Sequence, residues 1–193
     1  MKFETYKFEH VTSTNDIAAN LIQEKMIETG CVYAKMQTSG RGTHGKKWIS
    51  EMGNLFISIF FPLRKNYPSF DEFSIINPVL ISNALKNFST KKISLKWPND
   101  IFINKKKICG VLQEVITFNN KKFLIIGVGI NVITSPTIDN KYQATNIFAE
   151  TKTKPKLDEI INFILSFFEN FFSDLNNYSF INYKEKAEFM ALN

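Results

Sequence analysis

The apolar residues of the chain fall into short alternating or continuous runs, and these runs predict the strands of a sheet. Residues 2–8 alternate between polar and apolar, whereas residues 54–61 are apolar on both faces, which is typical of a central strand. Similar runs predict further strands at residues 31–36, 93–97, 101–103, 108–118 and 122–133. Polar turns at residues 104–107 and 119–121 predict two hairpins. Because no helix intervenes between residues 93 and 133, the pattern favours a mixed, mainly antiparallel sheet over a doubly wound parallel sheet.

Apolar residues at helical spacing predict helices between and after these strands. A first helix follows Ser13, which with Asp16 resembles a capping box, and Gly30 is expected to end it. Residues 73–88 predict a second helix, with Pro78 near its first turn, where proline is tolerated. Residues 183–189 predict a last short helix. The clearest helix covers residues 156–173, with one face formed by Leu157, Ile160, Ile161, Ile164, Phe168, Phe171 and Phe172. Sheet and helices together predict an α+β fold.

Length and composition fit one globular domain. The chain has 193 residues, of which 44% are hydrophobic and 22% are charged. Its apolar runs are far shorter than a membrane span, and its start lacks the features of a signal peptide, so we expect a cytoplasmic protein. Cys31 and Cys109 stand singly in apolar segments, which favours reduced core thiols. Because no metal-ligand spacing surrounds them and His10 and His44 are the only histidines, we expect no protein-bound metal.

The net charge of +6 suits a nucleic acid, an anionic nucleotide or an acidic partner protein. One segment concentrates cations among glycines: Gly40-Arg41-Gly42-Thr43-His44-Gly45-Lys46-Lys47-Trp48, called here the glycine loop (residues 40–48). Arg41 and Arg64 are the only arginines, so an arginine between two glycines suggests a need for the planar guanidinium. The segment suits a loop around a phosphate-bearing ligand, although a basic surface loop anchored by a tryptophan has the same composition.

Further clusters place polar groups at the ends of predicted strands or helices. Ser13-Thr14-Asn15 at a helix start can bind a polar ligand or simply cap the helix, and Gln37 directly precedes the glycine loop. Lys96-Trp97-Pro98-Asn99-Asp100 is either a ligand-binding turn or a strand terminator. Lys105-Lys106-Lys107-Ile108-Cys109-Gly110 is either a solvated turn or a point of ligand approach, since a glycine within a strand gives up side-chain packing. Similar glycines precede Asn131, at Gly127 and Gly129.

Taken in order, these segments resemble the biotin protein ligase family. The resemblance extends from about residue 10 to about residue 190, and the glycine loop together with Lys-Trp-Pro-Asn-Asp carries most of its specificity. It implies the catalytic fold that biotin protein ligases share with class II aminoacyl-tRNA synthetases. It also implies a single catalytic domain over residues 1–193, without the N-terminal winged helix or the C-terminal small β-barrel domain of longer relatives.

The resemblance implies a two-step ligase. The biotin carboxylate would attack the α-phosphate of Mg-ATP, and a lysine of a biotin carboxyl carrier domain would then take the biotinyl group from biotinyl-5′-AMP. Fixed cations suit the first step because it brings anions together, and a loop that excludes water suits the hydrolysable intermediate. The expected ligands are biotin, ATP and Mg²⁺. The expected partner is the carrier domain of a biotin-dependent carboxylase, with no DNA or membrane, and the enzyme is expected to be a monomer or weak homodimer.

Two other functions remain open. Some relatives are biotin-sensing repressors that bind DNA through an N-terminal winged helix, but the glycine loop begins only about forty residues into the chain, which leaves no room for that module. Lipoate or octanoate ligases and transferases share the scaffold and an active lysine. They generally lack the glycine loop and Lys-Trp-Pro-Asn-Asp together, so this alternative ranks second.

Carried over position by position, the resemblance assigns residues to biotin, to ATP and to catalysis. The expected biotin-binding residues are Ser13, Thr14, Asn15, Gln37, Gly40, Arg41, Gly42, Thr43, Lys107 and Gly110. The expected ATP-binding residues are Arg41, Lys46, Trp48, Lys96, Asn99 and Asn131. Lys107, at the carboxylate and α-phosphate, and Arg41, which closes on the ligand, are the expected catalytic residues. Thr43 stands where the family often has a second basic residue, and Lys46 replaces a frequent arginine without its bidentate geometry.

Overall fold

Strands and helices follow one another along residues 1–136 and 143–192, the part of the chain that the computed structural model describes. The strands are β1 (Thr5–Val11), β2 (Gly30–Gln37), β3 (Leu55–Pro62), β4 (Ile93–Lys96), β5 (Asp100–Ile103), β6 (Lys106–Phe118) and β7 (Lys121–Ile130). The helices are α1 (Thr14–Lys25), α2 (Phe70–Leu85), α3 (Ile147–Thr151), α4 (Leu157–Ser173) and α5 (Phe180–Phe189). Every predicted strand is present, and the α+β class with a mixed, mainly antiparallel sheet is confirmed.

Two tight turns form the hairpins on either side of β6. Asn104 and Lys105 have φ of 48° and 62°, and Asn119 and Asn120 have φ of 47° and 59°. Two-residue turns with both φ values positive match the right-handed twist of the paired strands, and asparagine tolerates this conformation better than most residues. Both predicted hairpins are therefore confirmed, with turns one or two residues shorter than the polar segments suggested.

The start of α1 is confirmed, but its predicted cap and end are wrong. Ser13 is the N-cap residue, yet its side chain makes no capping hydrogen bond. The helix ends at Lys25, and Met26 takes the left-handed conformation with φ of 54°. The next N–H, that of Ile27, then bonds to the carbonyl of Leu21 at 3.1 Å, which closes the helix. Gly30 is instead the first residue of β2.

Two further features of the helices differ from the sequence prediction. A capping box between Ser69 and Glu72 starts α2 at Phe70, so Pro78 lies in the helix interior and not near its first turn. The short helix α3 was not predicted, because five residues are too few to show helical spacing. It begins where the Asn146 side chain accepts a hydrogen bond from the N–H of Ala149 at 2.7 Å.

Residues 2–67 and 111–129 form one compact unit, called here the first unit. Its strand order is β1-β2-β3-β7-β6, with β1 parallel to β2 and β2 antiparallel to β3. All eight residues of β3 are buried, as predicted for a central strand. Helix α1 packs on β2 and β3, where Ile22 joins Val32 and Phe60 in the core. This packing fixes the start of α1 beside the end of β2, and the N–H of Thr38 bonds to the carbonyl of Val11 at 2.9 Å.

Residues 68–110, 130–136 and 143–192, with Met1, form the second unit. It holds β4, β5 and the start of β6, in the order β6-β5-β4, and α2 packs against α4, α5 and β4. The predicted apolar face of α4 is confirmed, since six of its residues are buried: Ile160, Ile161, Ile164, Phe168, Phe171 and Phe172. The exposed edge of β4 pairs with the last described residues, because the N–H of Leu95 bonds to Met190 at 2.7 Å and the N–H of Leu192 bonds to Leu95 at 2.8 Å.

Both cysteines are free and buried, which confirms the prediction of core thiols. Burial raises the pKa of Cys31 to about 12 and also raises the pKa of Cys109 well above its ordinary value. Neither thiol is therefore a ready nucleophile. In the described part of the chain, no helix combines the length and the apolar character needed to span a bilayer.

Candidate functional site

A buried polar network surrounds the N-terminus of α1 in the first unit. The backbone N–H and the hydroxyl of Thr14 both donate to Gln37 Oε1, at 2.9 and 3.1 Å. Ser58 Oγ lies 2.7 Å from Thr14 Oγ1 and 2.5 Å from Asn15 Oδ1. Because Ser58 has one hydroxyl proton, it donates to one of these two oxygens at a time. Ser13, Thr14 and Asn15 are each only 3% exposed. The structure therefore brings together the Ser-Thr-Asn segment and Gln37, as predicted, and adds Ser58.

Gly127 leaves the space that Asn15 occupies. A Cβ atom added at Gly127 would lie 2.6 Å from Asn15 Oδ1 and 3.2 Å from its Cγ and Nδ2. The Asn15 amide also donates from Nδ2 to Glu114 Oε2 at 2.7 Å. The amide is thus held on three sides, by Ser58, by Glu114 and by the backbone of β7, which explains why β7 carries a glycine at this position.

The glycine loop folds as a miniature hairpin. The N–H of Trp48 bonds to the carbonyl of Gly40 at 2.9 Å, and the N–H of Gly42 bonds to that of Lys46 at 2.7 Å. At its tip, a 3₁₀ turn at Thr43–Gly45, His44 and Gly45 have φ of 57° and 71°. A Cβ at Gly40 would lie 2.7 Å from the Trp48 carbonyl oxygen, so this position requires glycine. Thr43 is half-buried, whereas the Lys46 side chain is exposed.

The Arg41 guanidinium lies between two carboxylates of the first unit. Its Nη1 donates to Asp16 Oδ2 at 3.0 Å, and its Nη2 lies 2.8 Å from Asp16 Oδ1. Nη2 also lies 3.2 Å from Glu114 Oε2. The hydrogen bond with Asp16 and the neighbouring charge of Glu114 outweigh partial burial and raise the pKa of Arg41. Arg41 is therefore a fixed cation, held as a planar fork beside the start of α1.

The Trp48 indole lies directly over Gly129 of β7. Any Cβ at Gly129 would overlap the indole atoms Cε2, Cζ2 and Nε1. The indole is only half-exposed, so one face packs on the strand backbone. Gly129 thus fixes the position of the tryptophan that ends the glycine loop, and the group that approaches this glycine closely is a side chain of the protein itself.

In the second unit, Lys107 forms an ion pair with Asp100. Lys107 Nζ lies 2.7 Å from Asp100 Oδ1, and both side chains are largely buried, with 27% and 20% exposed. The register of β5 and β6 brings the two charged residues of this ion pair close together. Asp100 lies opposite Gly110, and a bulge between Ile101 and Phe102 shifts the register so that Phe102 lies opposite Lys107. Lys96 lies opposite Asp100 on the other side. The predicted residues Lys96, Lys107 and Gly110 therefore converge on Asp100, with Asn99 next to it in the chain.

A strap of residues 143–147 fixes the backbone around Lys107 and Asn131. The N–H of Lys107 bonds to the carbonyl of Gln143 at 3.0 Å, and the N–H of Thr145 bonds to the carbonyl of Lys107 at 2.9 Å. Asn131, 3% exposed, donates from Nδ2 to the Thr145 carbonyl at 3.1 Å and from its backbone N–H to Ile108 at 2.8 Å. Lys107 and Asn131 thus share one backbone support.

Glu150 anchors this strap. Its carboxylate, 8% exposed, accepts hydrogen bonds from Thr145 Oγ1 at 2.9 Å, Asn104 Nδ2 at 2.8 Å and Lys91 Nζ at 3.2 Å. Lys106 Nζ lies 3.5 Å away. Desolvation raises the pKa of Glu150, but the hydrogen bonds from Asn104, Thr145 and Lys91 and the charge of Lys106 outweigh it and lower the pKa to about 2.

The structure groups the predicted site residues by unit. The first unit holds Ser13, Thr14, Asn15, Gln37, Gly40, Arg41, Gly42, Thr43, Lys46 and Trp48. The second unit holds Lys96, Asn99, Lys107, Gly110 and Asn131. The sequence did not point to Ser58 or Glu114 in the first set, it suggested only a capping role for Asp16, and it suggested no role for Asp100 in the second set. Only Asp100 carried a signal, as the carboxylate that ends Lys-Trp-Pro-Asn-Asp.

Comparison with known proteins adds a family to this geometry. A sequence model described as the Biotin/lipoate A/B protein ligase family matches residues 7–131. The chain is 31% identical over 124 residues to the bifunctional ligase/repressor BirA of Escherichia coli (strain K12), covering 63% of this chain and 38% of that protein. It is 30% identical over 191 residues to the bifunctional ligase/repressor BirA of Bacillus subtilis (strain 168), covering 94% of this chain and 58% of that protein.

A solved structure is similar over nearly the whole chain. The biotin protein ligase from Aquifex aeolicus in complex with biotin and ATP matches with a TM-score of 0.82 and 29% sequence identity, covering 98% of this chain and 78% of that one. The chain therefore spans most of that structure, but only about half or less of the two curated relatives.

Proposed function

Because the chain belongs to the biotin/lipoate A/B protein ligase family, we propose that it is a biotin–protein ligase. The proposed reaction joins the carboxylate of biotin to the α-phosphate of ATP, which forms biotinyl-5′-AMP and releases pyrophosphate. The ε-amine of a lysine in a biotin carboxyl carrier domain then attacks the acyl carbon, and AMP leaves. The names of the similar proteins, BirA and biotin protein ligase, support this choice.

The observation that carries the proposal is the buried network of Thr14, Asn15, Gln37 and Ser58. A cyclic urea such as that of biotin has two N–H donors and one carbonyl acceptor, so it needs both kinds of partner when it is buried. Side-chain amides and hydroxyls supply both kinds. The dithiolane ring of lipoate has no such groups, so it would make no hydrogen bonds with this network. The network therefore favours biotin over lipoate.

We assign the catalytic roles in the adenylation step to Lys107 and Arg41. Lys107, kept in place by Asp100 and by the strap of residues 143–147, would stabilise the negative charge that builds up on the α-phosphate. Arg41, on the glycine loop, would close over the adenylate and exclude water, which limits its hydrolysis. Gly110 would allow close approach to biotin, and Trp48, Lys96, Asn99 and Asn131 would contact ATP. Lys46, which is exposed on the loop, would contact the phosphates of ATP from the solvent side.

Mg²⁺ would enter with ATP. Within residues 1–136 and 143–192, no group of three or more His, Cys, Asp and Glu side chains could hold a metal ion. Phosphate oxygens and water would therefore be the main ligands of a Mg²⁺ that neutralises the triphosphate, as is common for nucleotide-bound magnesium. We place the enzyme in the cytoplasm with the carrier domain, and not DNA, as its macromolecular partner.

The proposal is tested by ATP–pyrophosphate exchange with biotin or lipoate as the acid, followed by labelling of a carrier domain. We expect exchange with biotin and transfer to a single carrier lysine. Exchange with lipoate alone would instead favour the alternative, a lipoate or octanoate ligase.

Lys107→Ala should lower the adenylation rate roughly 100- to 1000-fold, the usual effect of losing one donor that stabilises transition-state charge. The exposed Lys92 of the same unit provides the matched control, and Lys92→Ala should leave the rate unchanged. Single-turnover adenylation at the wild-type rate in Lys107→Ala would remove this lysine from the mechanism.

A further inference from the structure

Glu114, on β6, contacts two of the residues proposed to bind the ligand. It accepts from the Asn15 amide at 2.7 Å, and it lies 3.2 and 3.4 Å from Arg41 Nη2 through its two oxygens. Its side chain is 35% exposed, whereas Asn15 is 3% exposed, so the carboxylate connects a buried amide with the partly exposed loop. No sequence motif pointed to this residue.

The contact with Asn15 orients its amide group. Asn15 Oδ1 lies against Ser58, and Nδ2 points at Glu114. A carboxylate accepts hydrogen bonds only, so Glu114 requires the N–H₂ end of the amide on its side. The oxygen end is then directed towards Ser58 and Gly127. Glu114 therefore selects one of the two amide orientations.

The contact with Arg41 holds the glycine loop beside α1. Asp16, in the first turn of α1, shares the same guanidinium at 3.0 and 2.8 Å. Two carboxylates on two different elements thus hold one planar cation, which gives a network and not an isolated surface pair. The Asp16 carboxylate contacts Arg41 of the loop, whereas the Glu114 carboxylate contacts both Arg41 and Asn15.

We propose that Glu114 is a positioning residue that couples closure of the glycine loop to the orientation of the Asn15 amide. The proposal rests on the proposed function, in which Asn15 binds biotin and Arg41 retains the adenylate. Glu114 lies between Arg41 and Asn15, so the carboxylate that holds the loop also fixes the amide for biotin. Loss of this carboxylate would loosen both sites together, whereas loss of Asp16 would loosen only the loop.

Glu114→Gln tests the coupling because it keeps the shape but leaves one acceptor oxygen for two donors, Asn15 and Arg41. We expect the KM for biotin to rise about fivefold or more, with kcat for adenylation within about twofold of wild type, as for the weakening of a hydrogen bond to a charged group. Escape of biotinyl-AMP, measured by rapid filtration after a single turnover without carrier, should rise about threefold. Asp16→Asn should raise escape but leave the KM for biotin unchanged.

Glu28→Gln is the matched control, since it removes a carboxylate from an exposed ion pair with Lys121 in the same unit. It should match wild type in KM, kcat and escape. If Glu114→Gln behaves like this control, or if it lowers kcat and thermal stability without raising the KM for biotin, the coupling is refuted and Glu114 is a structural residue. A wild-type chain that forms no biotinyl-AMP would instead refute the proposed function itself.

Discussion

Gly127→Ala should weaken biotin binding by displacing Asn15. Gly127 is a strand residue without a positive φ, so its backbone conformation is open to alanine and the effect is steric. The new Cβ would lie 2.6 Å from Asn15 Oδ1, where ordinary contact begins at 3.4 Å. The amide must therefore move by about 0.8 Å or turn away.

The size of the effect follows from the bonds that this movement breaks. Asn15 is held by Ser58 at 2.5 Å and by Glu114 at 2.7 Å. A shift of this size away from Glu114 would stretch that bond to about 3.5 Å, the limit of hydrogen bonding. A hydrogen bond to a charged group contributes about 1.5–3 kcal/mol. If the bond to Glu114 is the one lost, the KM for biotin should rise about 10- to 100-fold, because 1.4 kcal/mol corresponds to a factor of ten.

The assay is the biotin dependence of ATP–pyrophosphate exchange, with binding of biotin measured by calorimetry. A double-mutant cycle with Asn15→Ala isolates the mechanism. In the Asn15→Ala background the collision partner is absent, so adding Gly127→Ala should change the KM by less than about twofold. Equal effects of Gly127→Ala in both backgrounds would refute the reasoning, since the methyl group would then act on something other than Asn15.

Two further substitutions test other parts of the structure. Gly129→Ala should displace the Trp48 indole, because the new Cβ would overlap that ring. We expect the tryptophan emission to change and the KM for ATP to rise about tenfold, which corresponds to about 1.4 kcal/mol. An unchanged emission spectrum would contradict the packing of Trp48 on Gly129. Glu150→Gln should lower the free energy of unfolding at pH 7 by up to about 3 kcal/mol. Folding lowers the pKa of Glu150 from 4.5 to about 2, so the ionised carboxylate stabilises the folded protein above pH 4.5. This contribution is lost as the pH falls from 4.5 to about 2. The free energies of urea unfolding of the wild type and the variant should therefore converge in that pH range. A difference between them that stays constant with pH would contradict this role of Glu150.

The strands were predictable because each has a local signal. Residues 54–61 are apolar on both faces, as in a buried strand, and Asn119-Asn120 shows the polar break of a tight hairpin turn. Helix ends were less predictable, because Met26 closes α1 in a left-handed conformation for which Gly30 was the more obvious candidate. α3 has only five residues, so it had no pattern to detect.

The candidate site could be predicted from the sequence where it contains a conspicuous residue type. Arg41 between glycines and the lysines before Gly110 stand out in the sequence, whereas Ser58 looks like an ordinary polar residue in an apolar strand. Ser58 reaches the network only because the sheet places β3 beside the start of α1, and no local sequence pattern shows this. The same holds for Glu114, the one acidic residue of β6, because no local pattern shows that it lies beside Asn15.

Both cations proposed for catalysis lie against carboxylates of their own unit, and this changes how a basic chain would bind an anion. Arg41 with Asp16 and Glu114 has a local charge of −1, and Lys107 with Asp100 has none. These groups therefore do not form a strong positive patch that attracts phosphate from a distance. They present oriented N–H donors whose direction is set before the ligand arrives, which is the arrangement that stabilises charge developing in a transition state at little reorganisation cost. The carboxylates thus determine the function of the cations as much as the cations do, although net charge alone gives no sign of this.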